Sequence, residues 1–181
     1  MKKSILVFLL LSMAILPQSE VLINTYLDSI QRDPQIKMDA AGNSVVVWNS
    51  IGQNGANSSG DIYFQRLNAT FGKVGSEVLV NDVTFGNQEK PALAMNNQGN
   101  FAITWASHSG FQSIYDIKVK LYKNNNPVGN EILVNTFSEG SQTNPEIAMN
   151  SEGKFIVVWD SWFQDGGDKG VYAQRFDENG N

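Results

Sequence analysis

The chain of 181 residues contains no cysteine and a single histidine, His108. The first absence excludes disulfides, thiolate nucleophiles, Cys-ligated metal and lipid attachment through an N-terminal Cys. The second leaves most imidazole acid/base schemes and His-metal schemes without parts. Charge is also scarce, at 17% of residues, with Lys and Arg (13) outnumbered by Asp and Glu (18) for a net charge of -5. A nucleic-acid partner is therefore not expected, because neutralising phosphates takes clustered Lys and Arg. Against these shortages stands 41% hydrophobic and 10% aromatic content, enough for a packed core and too much for a disordered tail.

Residues 1–19 read as a secretory signal. Lys2 and Lys3 precede the apolar run Ile5 to Leu16, which Pro17 breaks ahead of Gln18 and Ser19. Cleavage is expected after Ser19, with a cut after Ala14 as the competing choice. The run's ~12 apolar residues cover ~18 Å as a helix, short of a ~30 Å hydrocarbon core. No second apolar run is long enough to span a bilayer. The expectation is a secreted or cell-surface protein, not membrane-spanning after signal removal, with about 162 residues left, one ordinary domain by length.

Those residues hold three copies of one pattern. Glu20-Val21-Leu22-Ile23-Asn24, Glu77-Val78-Leu79-Val80-Asn81 and Glu131-Ile132-Leu133-Val134-Asn135 are near copies, offset by 57 and then 54 residues. The same offsets carry Pro34 to Pro91 to Pro145, Met38 to Met95 to Met149, Gly42 to Gly99 to Gly153, and Trp48 to Trp105 to Trp159. Repeats of this length determine the architecture. The units are 20–76, 77–130 and 131–181, the third incomplete, without its outer strand. Each shows four strand-like runs and no helix-period stretch. Phe155 to Trp159 is apolar throughout and β-branched, as in a strand buried on both faces, whereas Val171 to Phe176 alternates as nearer an edge. Asn- and Gly-rich turns separate the runs, at Asn96 to Asn100 and its counterparts.

The fold class expected is all-β, with four-stranded antiparallel blades in a β-propeller-like arrangement. The Pro-led run is innermost, followed outward by the Trp strand, the Tyr-Gln-Arg strand and the Glu-Val-Leu strand. Glu20 to Asn24 would then complete the sheet of the last blade. Closed propellers use roughly four to eight blades, so three imply an incomplete propeller. A longer chain, a second copy closing a six-bladed ring, and an open solenoid are the three explanations, the first favoured.

Trp159-Asp160-Ser161, then Gln164-Asp165-Gly166-Gly167, then Gly170-Val171-Tyr172-Ala173-Gln174-Arg175-Phe176 resembles a repeat of large secreted bacterial surface proteins of adhesion type. Repeat one matches through Trp48-Asn49-Ser50 and Tyr63-Phe64-Gln65-Arg66; repeat two departs, with Lys118 and Lys120 and no Asp-Gly pair. The resemblance implies an exported β-propeller-like module without a known catalytic centre, and it names no ligand.

Trp48, Trp105 and Trp159 each end the most apolar strand of their unit and are assigned to the inter-blade core. The loops after them differ most between copies, and variable loops on a rigid scaffold are where binding lives. Trp162 and Phe163, with Phe111 and His108, are the candidate ligand contacts. Asp160, Asp165 and Asp168, beside Gly166 and Gly167, offer oxygen ligands for Ca²⁺, although not at EF-hand spacing; no other cofactor is implied. Glu20, Glu77 and Glu131 recur by symmetry and read as structural. The functional expectation is an interaction scaffold with no catalysis of its own, binding an extracellular protein or glycan through inter-blade loops. The alternative is part of a secreted carbohydrate-active enzyme whose catalytic residues lie outside this chain.

Overall fold

The computed structural model describes residues 20–55, 58–108 and 114–181; the segment read as a signal, Met1 to Ser19, lies outside them. Three successive antiparallel sheets run through the described residues. The first runs in order β1 (Gln31–Met38), β2 (Ser44–Ser50), β3 (Ser58–Leu67) and β4 (Lys73–Leu79). The second contains β5 (Gly86–Met95), β6 (Phe101–His108) and β7 (Asp116–Lys123), edged by the short β8 (Asn126–Pro127) and β9 (Ile132–Leu133). The third is β10 (Gln142–Met149), β11 (Phe155–Trp162) and β12 (Lys169–Phe176). The Pro-led strand at one side, then the Trp strand, then the Tyr-Gln-Arg strand and the Glu-Val-Leu strand is the order read from the sequence. A two-step parallel bridge, Ser58 to Gly86 and Gly60 to Asn87, joins the first two sheets.

Local chemistry makes the first hairpin of every blade. Asp39, Asn96 and Asn150 each turn a side-chain oxygen back onto two backbone N–H groups, two and four residues on, at 2.8–3.1 Å. Gly42, Gly99 and Gly153 take the positive φ the turn requires, 80–88°.

Alternate residues of each Trp strand then face opposite neighbours, as the two-residue strand period requires. Val45 and Val47 of the first blade pack with Ile103 and Trp105 of the second, around Phe64, Phe101 and Tyr122. Ala102 and Ala106, from the second blade's other face, pack with Val157 and Trp159 of the third. Trp105 and Trp159 therefore press their own blade's near face against the far face of the blade before. At the first interface Phe101 stacks on Tyr122 at 4.6 Å, and Phe64 meets both rings edge-on at 5.4 and 5.1 Å. Trp48 belongs to a third cluster with Val46, Tyr63 and Leu67, against which Ile23 is packed.

The expectation that Glu20 to Asn24 forms a strand is corrected. The segment has no strand assignment and pairs with no described strand. It nevertheless occupies the outer position before the first blade. The Thr25 amide donates to Glu77 Oε1, as the Asp82 amide donates to Glu131 Oε2 at 2.9 Å one blade later. Asn24 Nδ2 reaches the Tyr26 carbonyl at 2.8 Å, as Asn81 and Asn135 reach Val83 and Phe137 at 2.9 Å. The recurrent Asn thus closes the outer strand onto the next connection, and Asn81 and Asn135 also accept the Ile62 and Ile117 amides at 2.8 and 2.7 Å.

A buried ionic contact helps tie the first two blades. Lys120 Nζ, largely buried, donates to the Val80 carbonyl at 3.0 Å and to Asp82 at 2.5 Å. Partial burial opposes ionisation of Asp82, but the Lys120 ammonium and the Glu131 amide outweigh it and hold its carboxyl below the usual carboxylate range.

Candidate functional site

Each Pro-led strand carries one extra residue at equivalent positions, where the register shifts between Arg32 and Gln35, between Glu89 and Ala92, and between Thr143 and Glu146. The residue before each proline takes positive φ: Asp33 at 54°, Lys90 at 53° and Asn144 at 54°. Proline supplies no N–H to the ladder and pushes its predecessor out of the right-handed helical region. Asn and Asp accept the left-handed conformation readily; Lys does so at a cost, and such bulges re-aim side chains. Here they aim three different polar groups into one cleft of about 370 Å³ lined by Asp33, Gln35, Lys90, Pro91, Asn144 and Glu146, where all three blades meet.

A continuous polar network runs outward from that cleft over the third blade. Lys90 Nζ donates to Asn144 Oδ1 at 2.6 Å, and Asn144 Nδ2 donates to Asp160 Oδ2 at 2.6 Å. Lys169 Nζ donates to the same Asp160 oxygen at 2.8 Å and sits 5.2 Å from the centroid of the Trp162 ring. The Lys169 and Asn144 hydrogen bonds hold the Asp160 carboxyl below the usual carboxylate range, against a smaller opposing effect of burial. Asp160 is therefore an anion at neutral pH and positions its neighbours rather than donating a proton.

On the first two blades the centre is Arg32. Its guanidinium lies 3.7 Å from Asp33 and 3.6 Å from Glu89, and Nε donates to Asn49 Oδ1 at 3.0 Å. Asn49 is fully buried and donates in turn to the Gln88 carbonyl across the blade junction. Glu89 also accepts Asn87 Nδ2 at 2.7 Å. One guanidinium thus brings together two carboxylates from neighbouring blades.

Trp48, Trp105 and Trp159 are 4%, 0% and 5% exposed. Each indole N–H donates to a glutamine 17 residues earlier, Gln31, Gln88 and Gln142, at 2.9, 3.1 and 2.8 Å. Sequence reasoning passed over these glutamines, although they keep the same two offsets. Trp162 and Phe163 are exposed and mutually tilted at 5.8 Å. His108 stands at the matching place in the second blade, 5.3 Å from Tyr115; Phe111 lies outside the described residues.

The acidic loop, expected from the sequence to offer Ca²⁺ ligands, is held by hydrogen bonds within the protein. Asp160 is engaged by Lys169 and Asn144, Asp165 accepts the Gly167 amide at 3.1 Å, and the loop closes through the Phe163 amide on the Asp168 carbonyl at 3.2 Å. Among the described residues no cluster of acidic or His side chains is gathered for a metal ion.

No protein-family model and no curated protein matches the chain. Solved structures do. A protein of unknown function from Dyadobacter fermentans superposes with a TM-score of 0.63 at 10% identity, over 88% of this chain and 55% of that one. A Hadza microbial sialidase gives 0.57 at 10% identity over 81% and 37%. An endo-arabinase from Bacteroides thetaiotaomicron gives 0.52 at 14% identity over 84% and 58%. The chain spans little more than half of two of these structures and about a third of the sialidase. The expectation of a module without catalysis is corrected by this likeness, since two of the three structures that share the fold are named as enzymes. The chain is an all-β, β-propeller-like assembly of blades whose sheets do not close into a ring.

Proposed function

We propose that the chain, with its sequence repeats at 20–76, 77–130 and 131–181, supplies three blades of an exported carbohydrate-active β-propeller enzyme. The observation that carries this is the cleft where the three Pro-led strands meet. It receives a different polar side chain from each blade, and Arg32 gathers Asp33 and Glu89 at its edge. In most glycosidases, sialidases excepted, cleavage of the bond uses a pair of carboxyl groups flanking it. Asp33, with its side chain about half exposed, and Glu89, at 20%, are the candidate pair. Glu146 lines the same cleft from the third blade. Arg32 positions both carboxylates, and Asp160, kept ionised, orients Asn144 and Lys169. The basic and apolar leader fits export to where polysaccharides are met, and so does the resemblance to repeats of secreted surface proteins.

The likeness to an endo-arabinase and a sialidase makes arabinan and sialylated oligosaccharides the first substrates to offer the full protein. Sugar release from one of them is expected. Asp33→Asn and Glu89→Gln should each lower that rate by about 10²–10⁴-fold while melting with the parent. Absence of release from both substrates, or undiminished rates in both variants, would remove the assignment.

A further inference from the structure

The geometry points to a second binding place on the rim of the third blade, a subsite in which one neutral sugar ring lies on Trp162 and is held by Lys169, Asp160 and Asn144. The inference rests on the carbohydrate-active reading above and extends it from the cleft to the path of the glycan chain.

The platform is pre-organised. The Trp162 amide donates to the Ser141 carbonyl at 3.1 Å, and its backbone pairs with Lys169 in the sheet. The connection before β10 approaches so closely that a Cβ on Gly140 would stand 2.1 Å from the Trp162 carbonyl oxygen. The backbone is therefore clamped on both sides, yet Trp162 as a residue is 36% exposed and Phe163 beside it 59%. An aromatic surface held in place by buried backbone binds with little ordering cost. The equivalent positions hold Ile51 and His108, and among the described residues Trp162 is the one exposed tryptophan.

The polar groups beside it suit hydroxyls. Lys169 lies against the indole and donates to Asp160, which also accepts from Asn144. Adjacent donors and acceptors match vicinal hydroxyls, each of which both donates and accepts. The ammonium charge of Lys169 is already met by Asp160, whose carboxylate would repel an acidic sugar. Asn144 then carries the network to Lys90 and the central cleft, so a chain bound on Trp162 is led toward Asp33 and Glu89.

The test is binding of the full protein to soluble arabinan and to sialyllactose by titration calorimetry, with sugar release measured in parallel. The parent is expected to bind arabinan and to bind sialyllactose at least about tenfold more weakly. Trp162→Ala should weaken arabinan binding by about tenfold or more, while Trp162→Phe stays within about threefold, with both melting as the parent does. Equal binding by Trp162→Ala, no arabinan binding by the parent, or tighter binding of sialyllactose would overturn the inference. Binding without sugar release would overturn the proposed enzyme while leaving the subsite. Release with unaltered Trp162→Ala binding would do the reverse.

Discussion

Trp105→Ala is expected to destabilise the protein by about 4–6 kcal/mol, the largest effect of any single replacement in the core. Trp105 is completely buried at the junction of the first two blades, among Val45, Val47, Phe64 and Ile103. Truncating a buried aromatic costs about 3–5 kcal/mol in lost transfer and residual cavity. Its indole N–H also satisfies Gln88 Oε1 at 3.1 Å, and Gln88 is 1% exposed, so the variant strands a buried acceptor at a further cost of about 1 kcal/mol. For a domain of this length each kcal/mol is worth roughly 2–4 °C in Tm, which predicts a fall of about 10–20 °C. Thermal unfolding followed by circular dichroism measures it; a variant that melts within a degree or two of the parent would mean the Trp faces are not the packing surfaces.

Gly86→Ala should be nearly as damaging, for a different reason. Gly86 has φ +86°, and an added Cβ would lie 2.0 Å from the His108 carbonyl oxygen. The obstructing atom is backbone within a sheet, so no side chain can swing aside. The same residue opens the parallel bridge between the first two blades through Ser58, and the strain would be passed to the junction that Trp105 fills. Positive φ alone costs an L-residue about 1–2 kcal/mol. With the overlap the expected loss is about 3 kcal/mol or more. Gly75, also at positive φ (72°) but with only the end of the Arg66 side chain at 3.7 Å from the added Cβ, is the control and should lose about 1–2 kcal/mol on the same change. Equal melting of the two Ala variants would contradict the close approach.

The blades were legible because repetition exposes what packing demands. Trp, Pro, Gly and the Glu-Val-Leu-Val-Asn segment keep their offsets, and the strand order, the hairpins and the buried indoles follow from strand periodicity and turn chemistry. The glutamine partners of the indoles kept the same offsets too, but an isolated Gln carries no pattern of its own until an N–H is seen beside it. The central cleft was hidden for the opposite reason. Asp33, Lys90 and Asn144 are equivalent in place and different in kind, so comparison of the copies for sameness passes over them, and the extra residue in each Pro-led strand shows only in the pairing register. Arg32 meets Glu89 from 57 residues away in the chain, a proximity that depends on how one blade stacks on the next. Asp160 illustrates a further limit: in the sequence it belongs with Asp165 and Asp168, whereas in space it belongs with Lys169 and Asn144.

The measurement that reaches the central claim most directly is acrylamide quenching of tryptophan fluorescence in the parent and in Trp162→Phe. The account places three indoles between or against blades and one on the rim. It predicts that Trp162→Phe abolishes nearly all quenchable emission and leaves a blue-shifted band from Trp48, Trp105 and Trp159. If the three remaining tryptophans are quenched as freely as in the unfolded chain, the blades do not stack on their Trp faces, and the cleft that depends on that stacking is not formed.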